Sequence, residues 1–137
     1  MEISAVVENG RGAHCANVAT AGAAQPIGIR ARASGQGSAV NGGELLMLAL
    51  ATCYCNDLYR EATQLGIAIE RVEVEAKADF GGVGMAAKNV RYRARIESPA
   101  PAEQIEALLD RTDAVAEVHN TLRAGAVVAR RAWDEQG

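Results

Sequence analysis

Between Glu44 and Gly66 the chain has no glycine or proline and is dense in leucine and alanine, which are strong helix formers. The first half of this stretch, Leu45 to Tyr54, is apolar on every side apart from Thr52. A helix of that kind is buried all round rather than laid on a surface. The second half, Asn56 to Ala62, turns polar and amphipathic, and Gly66 stands where a helix stop is expected. The pattern predicts one long helix that begins in the core and ends in solvent.

Strand signals flank it. Residues 2–8 read as a first strand, Asn9-Gly10-Arg11-Gly12 as a turn, and residues 13–20 as the return strand. Ile27, Ile29, Ala31 and Ala33 alternate with Arg30 and Arg32 as a third strand, and Ser34 to Gly43 is loop-like. Residues 71–80 and 90–97 alternate with strict period two. Val72, Val74, Ala76, Ala78 and Phe80 share a face with Val90, Tyr92, Ala94 and Ile96. The opposite faces carry Glu73, Glu75 and Asp79 on one arm and Arg91, Arg93 and Arg95 on the other. Cross-strand ion pairing explains that basic strip. Pro99 to Arg111 reads as a second helix with the stripe Ile105, Leu108, Leu109. Asp113 is expected to cap a third helix that Gly125 stops, and residues 126–133 to finish as a strand. The order predicts an α+β fold with antiparallel sheet packed on the long helix.

The 137 residues suit a single domain, 1–137. Its aromatic residues are one Trp, one Phe and three Tyr, so Ala, Val, Leu and Ile must build the core. So light a core gains from burial against a second subunit. The net charge of −3, without a block of like charge, gives no reason to expect nucleic acid or an anionic membrane as partner. The N-terminus lacks the basic flank of a signal peptide, and the apolar run Leu45–Ala51 is too short for a bilayer. A cytoplasmic protein is expected. Cys15, Cys53 and Cys55 are the three cysteines. In a cytoplasmic chain they read as inert buried thiols, a redox thiol or metal ligands rather than a disulfide framework.

The segment N-G-G-E-L-L-M-L-A-L-A-T-C-Y-C (41–55), the strand R-V-E-V-E-A-K-A-D (71–79) and A-E-V-H-N-T-L (116–122) together resemble the OsmC/Ohr family. The resemblance covers roughly residues 3–133. It implies the OsmC/Ohr-like fold as an intertwined homodimer with sites at the subunit interface. It also implies reduction of organic or inorganic hydroperoxides by a cysteine on the buried helix, here Cys53. In that pattern a loop arginine and a helix-start glutamate orient the thiolate, and a second cysteine resolves the oxidised one. Arg11 is the counterpart of the arginine. The glutamate position falls on Gly43, with Glu44 beside it, and the second cysteine falls on Ala116. An external thiol is then expected as reductant, and no cofactor and no resident metal are expected.

Peroxide reduction needs a thiolate, and burial raises a thiol's pKa. Cys53 lies too deep in the helix for the N-terminal dipole to activate it. Arg11 is the first candidate cation; Arg60, two turns on, is expected to point to solvent. Cys55 is the extra thiol, but residues i and i+2 diverge on a helix, so a disulfide to Cys53 would unwind it. Cys15 is another route to resolution. A metal site built from His14, Cys15, Cys53 and Cys55 would need ligands converging from separate elements. Glu44 reads either as a catalytic carboxylate or as a first-turn partner of the helix dipole. His119 reads as a surface side chain, and Asp57 and Glu61 as solvated charges. The alternative function is a non-catalytic binding or sensor module for a small apolar ligand at the dimer interface.

Overall fold

The computed structural model describes residues 1–135. It is a mixed α+β structure with two antiparallel sheets and three helices. The chain divides into two compact units, Met1–Leu46 and Met47–Gly137.

The first unit is a meander of β1 (Ile3–Gly10), β2 (Ala13–Thr20) and β3 (Ala23–Ile27), paired in that order. Gly10 pairs with Ala13, so the turn residues are Arg11 and Gly12, just beyond the Asn-Gly dipeptide. Both have positive φ, 53° and 76°, the mirror-image turn geometry that matches strand twist. Ala21 and Gly22 repeat the arrangement before β3. The third strand is earlier and shorter than the alternation of residues 27–33 predicts. It carries Pro26, which lacks an N–H and is tolerated because β3 is an edge strand. Beyond Ile27 only an isolated bridge, Ala31 to Ser38, is formed.

The long helix α1 spans Gly42–Leu65. Its start is a reciprocal cap. The Asn41 N–H donates to Glu44 Oε2 at 2.7 Å, and the Glu44 N–H to Asn41 Oδ1 at 2.8 Å. Its end is a Schellman motif at Gly66, with Gly66 N–H bonded to Thr63 O and Ile67 N–H to Ala62 O.

In the second unit, β4 (Arg71–Asp79) pairs with β5 (Lys88–Glu97). Helices α2 (Ala102–Val115) and α3 (Glu117–Ala124) follow. The core is Tyr54, Leu58, Ala62, Leu108 and Ala116, against which Val72, Val74, Tyr92, Ala94 and Ile96 pack. Burying a leucine such as Leu58 or Leu108 contributes about 1.5–3 kcal/mol. The predicted charge ladder is present. Glu73 meets Arg95 at 2.5 Å, Glu75 meets Arg93 at 2.8 Å and Asp79 meets Arg91 at 3.6 Å.

The apolar first half of α1 is not covered on all sides, and Leu48 is 59% exposed. The tip of the hairpin is likewise uncovered, with Phe80 and Val90 exposed. Asp113 belongs to the last turn of α2, and α3 begins after Ala116 without a side-chain cap. Residues 126–133 form no strand and pair with none of the strands among the described residues. No helix among the described residues is long and apolar enough to cross a membrane.

Candidate functional site

Cys53, Asp57 and Arg60 are spaced i, i+4 and i+7 along α1, which puts them on one face. Cys53 is half-buried, and its Sγ lies 3.6 Å from Asp57 Oδ2. From α3, Glu117 brings Oε2 to 4.0 Å from the same sulfur. Arg60 reaches the other oxygen of each carboxylate. Its Nη1 donates to Asp57 Oδ1 at 2.7 Å and lies 3.9 Å from Glu117 Oε1. Both carboxylates are therefore used on both sides, one oxygen toward the guanidinium and one toward the thiol.

Burial, followed by the charge of Asp57 and then that of Glu117, pushes the Cys53 thiol above its ordinary pKa. A backbone hydrogen bond from Val118 opposes this. Burial and repulsion from Glu117 also raise the Asp57 carboxyl, with Arg60 pulling the other way. The side chains that touch the sulfur are acceptors, and Arg60 reaches it only through them.

Asp57 and Glu61 are buried, contrary to the solvated reading. The polar half of α1 turns that face inward toward α2 and α3. Arg111 from α2 compensates Glu61 at 2.6 Å, and Arg60 compensates both acids. Arg60 does not simply extend into solvent; its side chain is 44% exposed and tied to Asp57.

His119 is also buried rather than superficial. Its ring packs against the Tyr54–Tyr92 pair, with centroids 5.6 Å and 4.5 Å away. Neither ring nitrogen has a hydrogen-bond partner among the described residues. Burial, then the nearby Arg123, lowers its pKa. The Tyr92 hydroxyl donates to Asp113, and Tyr54 donates to Leu109 O at 2.8 Å. Beside this cluster is an apolar cleft of about 470 Å³, lined by Leu50, Val90, Tyr92, His119 and Leu122, with Arg91 and Arg123 at its polar rim.

The remaining sequence-predicted residues are placed as follows. Glu44 is more than two turns before Cys53 on α1, with its carboxylate committed to the cap on Asn41. Cys55 is half-buried and Cys15 exposed, and all three cysteines are free thiols. Arg11 is exposed at the tip of the β1–β2 turn. Among the described residues, the one group of side chains able to hold a metal is Cys53, Asp57 and Glu117. It shares only Cys53 with the ligand set considered from sequence. Sequence reasoning missed Asp57 and Glu117 as neighbours of the thiol. The i, i+4 spacing of Cys53 and Asp57 was the available signal for the first, and contact across α3 gave none for the second.

An α+β chain with antiparallel sheets, whose central helix presents a half-buried thiol, defines a class of thiol-bearing proteins rather than one activity. The family model described as OsmC-like protein matches residues 35–130, and the chain belongs to that family. Among solved structures, an organic hydroperoxide resistance protein OsmC from Legionella pneumophila is similar with a TM-score of 0.61 and 21% identity, covering 90% of each chain. An organic hydroperoxide resistance protein from Elizabethkingia anophelis is similar with a TM-score of 0.63 and 19% identity, covering 91% of this chain and 90% of its own. The OsmC-like protein of Mycoplasma pneumoniae has a TM-score of 0.61 at 19% identity, covering 90% of this chain and 87% of its own. At these identities the likeness establishes the fold. No curated protein matches the chain.

Proposed function

We propose that this OsmC-like protein is a thiol-dependent hydroperoxide reductase that acts through Cys53. The observation that carries this reading is the half-buried Cys53 thiol with the Asp57 carboxylate 3.6 Å away to take its proton. As the sulfur attacks the peroxide O–O bond, the thiol proton passes to Asp57 and then to the departing alkoxide oxygen. The products are Cys53 sulfenic acid and an alcohol. An external dithiol returns the sulfenic acid to the thiol, with release of water and formation of the reductant's own disulfide. Arg60 orients Asp57 through its 2.7 Å hydrogen bond. Cys55 is retained as a further thiol on the helix. Glu44, already engaged in a cap, serves as a helix-start carboxylate.

Two further features are part of the proposal. Exposed apolar residues such as Leu48, Val6, Val7 and Val90 favour a homodimer, because such surface gains from burial. Three free thiols suit a reducing compartment, so a cytoplasmic location is proposed.

The test is peroxide consumption with a supplied dithiol, comparing wild type with Cys53→Ser. A rate that vanishes in the variant is expected; equal rates end the reading. The second reading, a binding module for a small apolar ligand, is favoured by the apolar cleft beside His119 and by the raised thiol. Saturable binding of an apolar fluorophore, without Cys53 oxidation by peroxide, is the result that favours it.

A further inference from the structure

The donors around Cys53 are arranged as a partial coordination shell. The thiol and two carboxylates offer one atom each, all within 4.8 Å of one another, from two separate helices. A zinc-class ion holds sulfur at about 2.3 Å and carboxylate oxygen at about 2.0 Å, which puts tetrahedral S···O edges at about 3.5 Å. The Sγ–Oδ2 separation of 3.6 Å meets that value, and the Sγ–Oε2 separation of 4.0 Å is half an ångström longer. The longer edge belongs to Glu117, whose side chain is 70% exposed and free to close. Asp57 is 4% exposed and already fixed.

The outer partner fits the same arrangement. Carboxylates that bind metals are themselves held by hydrogen bonds on the oxygen that does not coordinate. Arg60 occupies that position on Asp57 at 2.7 Å and approaches it on Glu117 at 3.9 Å. Charge agrees as well. Once an ion displaces the thiol proton, the sulfur and two carboxylates carry three negative charges against the one positive charge of Arg60, which Glu61 also shares. A divalent cation brings the group to neutrality.

We propose that Cys53, Asp57 and Glu117 bind one divalent cation of borderline softness, of the zinc class, with a fourth position left to water. The sulfur selects against magnesium and calcium, which prefer all-oxygen shells. The ion takes the place of the thiol proton and ties up the sulfur, so bound metal and peroxide compete for Cys53. Metal binding itself does not depend on the peroxidase reading.

The test is titration of the reduced protein with cobalt(II), followed by displacement with zinc(II). A sulfur-to-cobalt charge-transfer band in the near ultraviolet is expected to saturate at one ion per chain. It should persist in the double variant Cys15→Ser/Cys55→Ser and disappear in Cys53→Ser. Glu117→Gln, at an exposed position, should weaken cobalt binding by roughly tenfold or more. Absence of the band in wild type, or its survival in Cys53→Ser, overturns the proposal. So does unchanged affinity in Glu117→Gln with native circular dichroism. A protein that binds cobalt through Cys53 yet consumes no peroxide loses the enzymatic reading and keeps the metal site; the reverse outcome does the opposite.

Discussion

The Cys53 sulfur faces Asp57 Oδ2 at 3.6 Å, one helical turn along α1. The thiol therefore meets a proton acceptor before it meets a positive charge. The Arg60 guanidinium is on the far side of that carboxylate. In the mechanism we propose, the pair acts as a proton relay held by Arg60.

This relationship separates two properties that usually move together. Asp57→Asn removes a negative charge and an acceptor beside the sulfur, so the Cys53 thiol pKa should fall and alkylation at neutral pH should speed up. The same change removes the group that receives and returns the proton, a role worth about a hundredfold or more. Peroxide consumption should therefore drop while iodoacetamide labelling rises. A variant that gains in both assays shows Asp57 to be no relay.

In the wild type, burial and the two carboxylates raise the thiol. The alkylation rate of Cys53 should rise with pH to an inflection above the value of about 8.5 for a free thiol. Mass spectrometry of labelled peptides separates Cys53 from the exposed Cys15. An inflection at or below the free-thiol value contradicts the electrostatic description.

Leu58 is fully buried at the centre of the second unit's core. Leu58→Ala should lower stability by about 2–5 kcal/mol, because the neighbouring helices and hairpin cannot close fully over the gap. Urea denaturation checks this through a lower midpoint at unchanged slope.

Gly66 holds φ at 68° to close the Schellman motif, and a Cβ there would meet no atom within 4 Å. The cost of Gly66→Ala is therefore backbone strain alone, about 1–2 kcal/mol. Thermal melting should show a modest drop with no change in thiol reactivity.

His119 is buried, and its pKa is lowered by burial and then by Arg123. The groups facing it include Tyr54, Tyr92, Asp113, Asp57 and Arg123. The unfolded chain takes up this proton near pH 6.5, before the folded protein does. Stability should therefore decline as pH falls through about 6.5, until the folded-state pKa is passed. His119→Phe should flatten that part of the stability profile, measured by urea denaturation at several pH values. An unchanged slope assigns the dependence elsewhere.

Helix α1, the two hairpins and the charge ladder were legible in the sequence because each depends on local spacing. Leucine density without breakers specifies a helix, and period-two alternation specifies a half-buried strand. Opposite charges at matching positions fall into register once two arms pair, as Glu73 and Arg95 do. The failures lie where local pattern competes with distant packing. Residues 126–133 have strand-forming composition but pair with no strand. Asp113 has the character of a cap, yet Tyr92 and Arg123 engage its carboxylate.

The sequence by itself determined the helix with Cys53 on it, the antiparallel hairpins and the family resemblance, since these are written in residue order and period. Only tertiary structure decided the surroundings of the sulfur. Asp57 and Glu61 sit on a segment whose pattern reads as solvent-facing, and His119 on a helix whose polarity reads as superficial. Packing of α2 and α3 against α1 buried all three and brought Glu117 to the thiol. Charge and burial at a site are properties of what comes together in space, and sequence spacing fixes them only within one helical turn.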